Sequence, residues 1–211
     1  MSYGSPSDGQ ITFHAILGTF RVETSLFHTS RCIMTITDHE LKSMMEVLPY
    51  YDAVQWALEK GITEGTSADT FSPGVSCTHA QMVTFLWRAA GSPVPKSAAN
   101  PFKDINENDC YYSAILWAIE NGITSGTGAD TFSPTATVTR GQTVTFLHRA
   151  AGSPLAGSSA FDDIAAAAYY AKAVAWANKN NITSGTGNGK FSPNADRTRG
   201  QIVTLLYRAN N

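Results

Sequence analysis

Apolar and polar residues alternate along QITFHAILGTFRVETS, residues 10–25, on either side of Leu17–Gly18. A period of two residues predicts a β-hairpin turning at that pair. TDHELKSMMEVL, residues 37–48, opens with a Thr37-to-Glu40 capping pattern and predicts a short helix. From Tyr50 the period changes. YYDAVQWALEKG, YYSAILWAIENG and YYAKAVAWANKNN place Ala, Trp and aliphatic residues at i, i+3 and i+4, the spacing of one helix face. These segments end at Gly61, Gly122 and Asn181, residue types that accept the left-handed conformation at a helix C-terminus.

A second helix follows each of the first. Thr78 to Gln81, Thr139 to Gln142 and Thr198 to Gln201 each read T-x-x-Q, a capping box in which Thr and Gln satisfy each other's backbone N–H groups. The body of the middle copy, TVTFLHRAAG, is apolar around much of its circumference, so burial on several sides is expected. Between the two helices lies turn chemistry, GITSGTGADTFSP in the middle copy. Phe71, Phe132 and Phe191, each before Ser-Pro, are expected to anchor this loop in the core.

The pattern repeats. A spacing of 61 residues carries Trp56 to Trp117 and Phe71 to Phe132, and 59 residues carry Trp117 to Trp176 and Phe132 to Phe191. One supersecondary unit is used three times. The units read as 49–93, 100–154 and 160–211, joined by the Gly/Pro/Ser linkers AAGSPVPKSAANP and AAGSPLAGSSA, with residues 1–48 as a separate N-terminal segment. The expected fold is mainly α, with three helix-loop-helix units whose second helices meet as a central bundle, preceded by a small β-containing segment.

Composition narrows the function. Net charge is −2 and only 15% of residues are charged, without the basic footprint of a nucleic-acid or membrane-surface binder. No apolar run approaches the ~18 residues that cross a bilayer, and no export signal is legible at the N-terminus. Cys32, Cys77 and Cys110 are widely spaced and the five histidines scattered, which argues against disulfides, a metal site or a cofactor.

The ordered series F-x-D, W-A, G-I-T-x-G-T, F-S-P and T-R-x-Q before an apolar helix closely resembles the S-layer homology domain, from about Tyr50 to Asn211. The resemblance implies a pseudo-threefold spindle whose grooves bind secondary cell-wall polysaccharide, often pyruvylated. It also implies an extracellular place on a bacterial cell wall and a groove arginine in the T-R-x-Q segment. The first copy departs from the pattern. It reads Thr78-His79-Ala80-Gln81, and Leu41-Lys42-Ser43 stands where Phe-x-Asp is expected. Gln replaces the family's usual Glu in all three copies.

Arg140 and Arg199 stand in the first turn of a helix, where a cation costs about 0.3–1 kcal/mol. Two readings account for them. Either each pairs with a carboxylate such as Asp104 or Asp163, or each joins free helix N–H groups in holding a ligand carboxylate. Gly141 and Gly200, beside the arginines, would let such a ligand approach the backbone. Asp104 and Asp163 read equally as groove hydrogen-bond partners or helix caps. Trp117 and Trp176 are candidates for stacking on sugar rings, although their helical spacing favours core packing. Residues 1–48 read either as completing the first unit or as a candidate surface for a protein cargo or partner. A noncatalytic wall-polysaccharide anchor is the leading function. A self-associating or protein-binding structural module is the alternative, and no carboxylate pair stands out for glycoside hydrolysis.

Overall fold

The computed structural model describes residues 11–16, 19–24, 48–67, 70–96 and 99–211. Strands β1 (Ile11–Ile16) and β2 (Thr19–Thr24) pair antiparallel with Ile16 opposite Thr19, the hairpin that the alternation predicts. The short helix expected over 37–48 and the Leu41-Lys42-Ser43 lead-in fall outside the described residues, save that Leu48 begins a single 3-10 turn, Leu48–Tyr50. Six helices follow: α1 (Tyr51–Glu59), α2 (His79–Ala89), α3 (Tyr112–Glu120), α4 (Arg140–Ala150), α5 (Ala171–Lys179) and α6 (Arg199–Asn210).

The first helix of each unit ends where its sequence allows a left-handed residue. Gly61, Gly122 and Asn181 have φ of 65°, 64° and 57°. The following isoleucines donate back to Ala57, Ala118 and Ala177 at 2.8–2.9 Å, closing a Schellman motif each time. Ile62, Ile123 and Ile182 are buried by this turn, so the helix stop also delivers a core residue.

Helices α2, α4 and α6 touch one another in all three pairs and form the central bundle. The peripheral helices pack chiefly against other units. Helix α3 lies on α2, α5 on α4, and α1 on α6. Each peripheral helix therefore covers the central helix of the preceding unit, and the first unit closes the ring against the last. Trp56 of α1 meets Tyr207 of α6 edge-on, ring centroids 5.5 Å apart, at that closure.

A cycle of backbone hydrogen bonds marks the pseudo-threefold axis at the N-terminal ends of the bundle. Cys77 donates to Arg197, Arg197 to Val138 and Val138 to Cys77, at 2.8, 3.0 and 2.9 Å. Phe132 and Phe191 are fully buried, as their place before Ser-Pro predicts, each stabilising the fold by roughly 1.5–3 kcal/mol. Phe102 and Phe161 of the F-x-D segments pack on them, with ring centroids 5.6 Å apart in both units. Phe71 is only half-buried, and its counterpart of Phe102 is Leu41, outside the described residues. Among the described residues no helix is long and apolar enough to cross a membrane.

Candidate functional site

The T-x-x-Q segments form complete capping boxes. Thr78, Thr139 and Thr198 accept from the backbone of Gln81, Gln142 and Gln201, and the glutamine side chains accept from the threonine N–H groups. The next backbone donors are also occupied. Arg140 and Gly141 donate to the carbonyls of Ala195 and Pro193, both at 2.8 Å, and Arg199 and Gly200 donate to Val75 and Pro73 at 2.8 and 2.9 Å. His79 and Ala80 donate likewise to Ala136 and Pro134. The expectation of free helix N–H groups awaiting an anion is thus corrected. The F-S-P loop of the next unit supplies their acceptors and docks the units together.

The arginine side chains cross the same seams. Arg140, 8% exposed, donates through Nη2 to Thr183 Oγ1 at 2.6 Å and to the Gly185 carbonyl at 3.0 Å. Its guanidinium lies over the Phe191 ring, 4.6 Å from the centroid. Arg199, 3% exposed, donates through Nε to the Phe71 carbonyl at 3.1 Å and through Nη2 to Thr63 Oγ1 at 3.4 Å. It stacks on Phe71 and Phe85. Among the described residues no carboxylate stands within ion-pairing distance of either arginine, so the pairing with Asp104 or Asp163 expected as one alternative is not made. Among the described residues Nη1 of neither arginine finds a hydrogen-bond partner, and Nε of Arg140 is buried without one. Burial lowers the pKa of Arg140 to about 10, helped by the charge of Arg197 and opposed by Asp163. Burial also lowers that of Arg199, with Cys77 opposing. Arg140 stays a cation at neutral pH.

The glycines beside them face protein. A Cβ on Gly141 would stand 3.0 Å from Tyr170 Cδ1, and one on Gly200 would stand 3.0 Å from Tyr50 and from Pro73. The close approach at these glycines is made by the tyrosine that opens the following peripheral helix, which corrects the reason given for them.

His79 occupies the arginine position of the first seam. Its ring nitrogens face the Phe132 carbonyl at 3.4 Å and Gln142 Oε1 at 3.2 Å, and it is buried. A groove of about 360 Å³ opens beside it, lined among others by Thr124, Ser125, Gln142, Arg149 and Tyr169. Repeat spacing carries this lining to Arg140, Thr183, Ser184, Gln201 and Arg208 at the second seam, and to Arg199, Thr63, Glu64, Gln81 and Arg88 at the third.

Asp104 and Asp163 are neither helix caps nor partners of the arginines. Asp104 accepts from the Phe132 and Ser133 N–H groups at 2.9 and 2.7 Å, and Asp163 from Phe191 and Ser192 at 2.8 and 2.7 Å. Each carboxylate holds its own unit's F-S-P loop, in which Ser133 and Ser192 take φ of 58° and 59°. Burial pushes both carboxyls up, but the backbone donors outweigh it and leave their pKa values below the ordinary 3.8. Trp117 and Trp176 lie elsewhere, half-buried around a hollow at the C-terminal ends of α2, α4 and α6 with Leu86, Leu147 and Leu206. Eleven helical residues, about 16 Å, separate that end from the arginines.

The motif reading gives no role to two recurring residues of the site, one of them the threonine of its G-I-T-x-G-T element. The threonines Thr63, Thr124 and Thr183 stand on the next unit's side of each seam, and Thr63 and Thr183 accept from the arginines. Arg88, Arg149 and Arg208 donate to Ile62, Ile123 and Ile182 from the ends of the central helices. Their signal was recurrence in all three copies at constant spacing. Among the described residues no group of three or more His, Cys, Asp or Glu side chains is arranged to hold a metal ion.

The S-layer homology domain model matches residues 46–83, 101–144 and 160–203. The chain belongs to the S-layer homology domain family. It is 32% identical over 132 residues to a cell surface protein of Thermoanaerobacter kivui, covering 60% of this chain and 17% of that protein. It is 36% identical over 124 residues to an endoglucanase of Bacillus sp. (strain KSM-635), covering 57% of this chain and 13% of that protein. A surface-layer 125 kDa protein of Lysinibacillus sphaericus is 29% identical over 162 residues, covering 74% and 14%. The match spans 13–17% of the length of these relatives. Two of these relatives are named as a cell surface protein and a surface-layer protein.

Proposed function

We propose that the chain is a noncatalytic anchor that binds secondary cell-wall polysaccharide, pyruvylated on its sugars, in the grooves at the seams between units. The observation that carries this reading is the Nη1 group that makes no hydrogen bond among the described residues on each of Arg140 and Arg199, in side chains 8% and 3% exposed. Each guanidinium is fixed by hydrogen bonds and by stacking on a phenylalanine, yet keeps one donor for a ligand carboxylate. Such preorganised, charge-assisted bonds are about twice as strong as neutral ones. In the groove beside His79, Thr124, Ser125 and Thr127 present hydroxyls that suit those of a sugar. Glycoside hydrolysis calls for paired carboxyl groups, and the lining of the groove beside His79 includes none among the described residues. Family membership and the names of the surface-layer relatives support the same reading.

Cosedimentation with purified bacterial wall sacculi, before and after extraction of their secondary polysaccharide, tests it. The chain should pellet with intact sacculi and stay in solution with extracted ones. Equal pelleting with both would assign the binding to another wall component.

A further inference from the structure

One position on the pseudo-threefold axis differs sharply between units. Cys77, Val138 and Arg197 are joined in the backbone cycle and are equivalent by repeat spacing, yet the third is a cation. Cys77 and Val138 are fully buried, and Arg197 is 7% exposed. Among the described residues its guanidinium makes no hydrogen bond, and its Nε is sealed from solvent without a partner. Leaving a buried charged group unpaired is among the costliest arrangements in a folded chain. Two apolar equivalents in the same ring show that the fold does not require a cation there.

Arg197 stands beside Arg140. Residues 138–140 pair with 195–197 through Arg197 N–H to Val138, Arg140 N–H to Ala195 and the Thr139–Asp196 bridge. The two guanidinium charges repel each other. Tyr50, Asp163 and Asp196 are the other titratable groups acting on the pair. Asp163 is committed to the Phe191 and Ser192 N–H groups, and Asp196 makes no ion pair among the described residues. At the other seams the same place holds Val138 beside the His79 groove and Cys77 beside Arg199. The third seam also carries Glu64 where the others have Ser125 and Ser184. With the helix-end arginines Arg149, Arg208 and Arg88 of the lining counted, and Arg197 at the second seam, the seams offer a ligand anion a histidine and one arginine, three arginines, and two arginines with a glutamate.

We propose that the groove between the second and third units is the principal site for a carboxylate-bearing saccharide, and that Arg197 determines its affinity by sharing the carboxylate with Arg140. The proposal rests on the wall-polysaccharide reading and adds a ranking of the three grooves to it. A ligand carboxylate supplies the partner that the buried pair lacks, and its binding relieves their repulsion.

The test is titration calorimetry of the intact chain with purified wall polysaccharide carrying pyruvate ketals, and with the same polymer after mild acid removal of the ketals. Parent, Arg197→Val and Arg199→Ala chains are compared, valine being the residue of the second unit. Loss of one charge-assisted contact predicts about tenfold weaker binding of the ketal-bearing polymer by Arg197→Val. Arg199→Ala should lose less than threefold, and the deketalised polymer should bind parent and Arg197→Val alike. The Arg197→Val chain should melt no lower than the parent. Unchanged affinity in Arg197→Val, a greater loss in Arg199→Ala, or an equal loss with deketalised polymer would each overturn the ranking while leaving the wall-polysaccharide reading intact. A parent chain that binds neither polymer would overturn that reading, and the ranking with it.

Discussion

Arg140 of the second unit donates to Thr183 Oγ1 of the third at 2.6 Å, so a side chain suited to a ligand is also a bolt between units. Sequence reasoning expects removal of this arginine to spare or raise stability, because the helix dipole opposes it. The contacts reverse that expectation. Arg140→Ala leaves the Gly185 carbonyl without its donor and the Phe191 ring without its cation, so it should cost about 1–3 kcal/mol. Urea titration should show a lower midpoint with an unchanged slope. An unchanged midpoint would mean that the bolt bears no load.

His79→Arg should restore the missing bolt. By repeat spacing the new guanidinium meets the Phe132 carbonyl, as Arg199 meets that of Phe71, and Thr124 in place of Thr63. The expected gain is about 1 kcal/mol, read as a higher melting temperature. A lower one would show that the first seam has repacked around histidine.

Asp104 and Asp163 tie stability to acid pH. Their folded pKa values lie below the ordinary 3.8. The stability they contribute is therefore present above that value and is lost as pH falls through the lower folded values. Parent stability should drop below about pH 4, and Asp104→Asn with Asp163→Asn should flatten that drop while lowering stability at pH 7. A double variant with the parent's acid profile would assign the loss to other carboxylates.

Closure of the ring makes the three units one cooperative body. Helix α1 rests on α6, so a chain ending at residue 154 leaves Ala53, Trp56 and Ala57 uncovered. Such a chain should show no cooperative melt, whereas the intact one should show a single transition by fluorescence and calorimetry. A cooperative two-unit fragment would refute the closure.

Local signals carried far in this sequence. Capping boxes, the left-handed stops at Gly61, Gly122 and Asn181, and the all-round apolar α4 each follow from residues within one turn of one another. They gave the helices and the bundle. What stayed hidden is set by partners far along the chain. Arg199 reaches back to Thr63 and Phe71, and nothing near Arg199 in sequence announces them. The same holds for the helix N–H groups, whose acceptors Pro73, Pro134 and Pro193 lie in the next unit. Gly141 and Gly200 read as openings for a ligand, although tyrosines fill the space. Trp117 and Trp176 share a register with the arginines' units but stand at the other end of the bundle. Arg197 passes for ordinary variation beside Cys77 and Val138 until its burial and lack of partners are known.

The central claim is that the seams of this domain read the acidic groups of a wall glycan. Calorimetric titration of the parent chain with ketal-bearing polysaccharide, repeated with the deketalised polymer, tests it most directly. Loss of a carboxylate that pairs with a buried guanidinium predicts at least about tenfold weaker binding of the second polymer, with a flatter dependence on salt. Equal affinity for both polymers would contradict the claim.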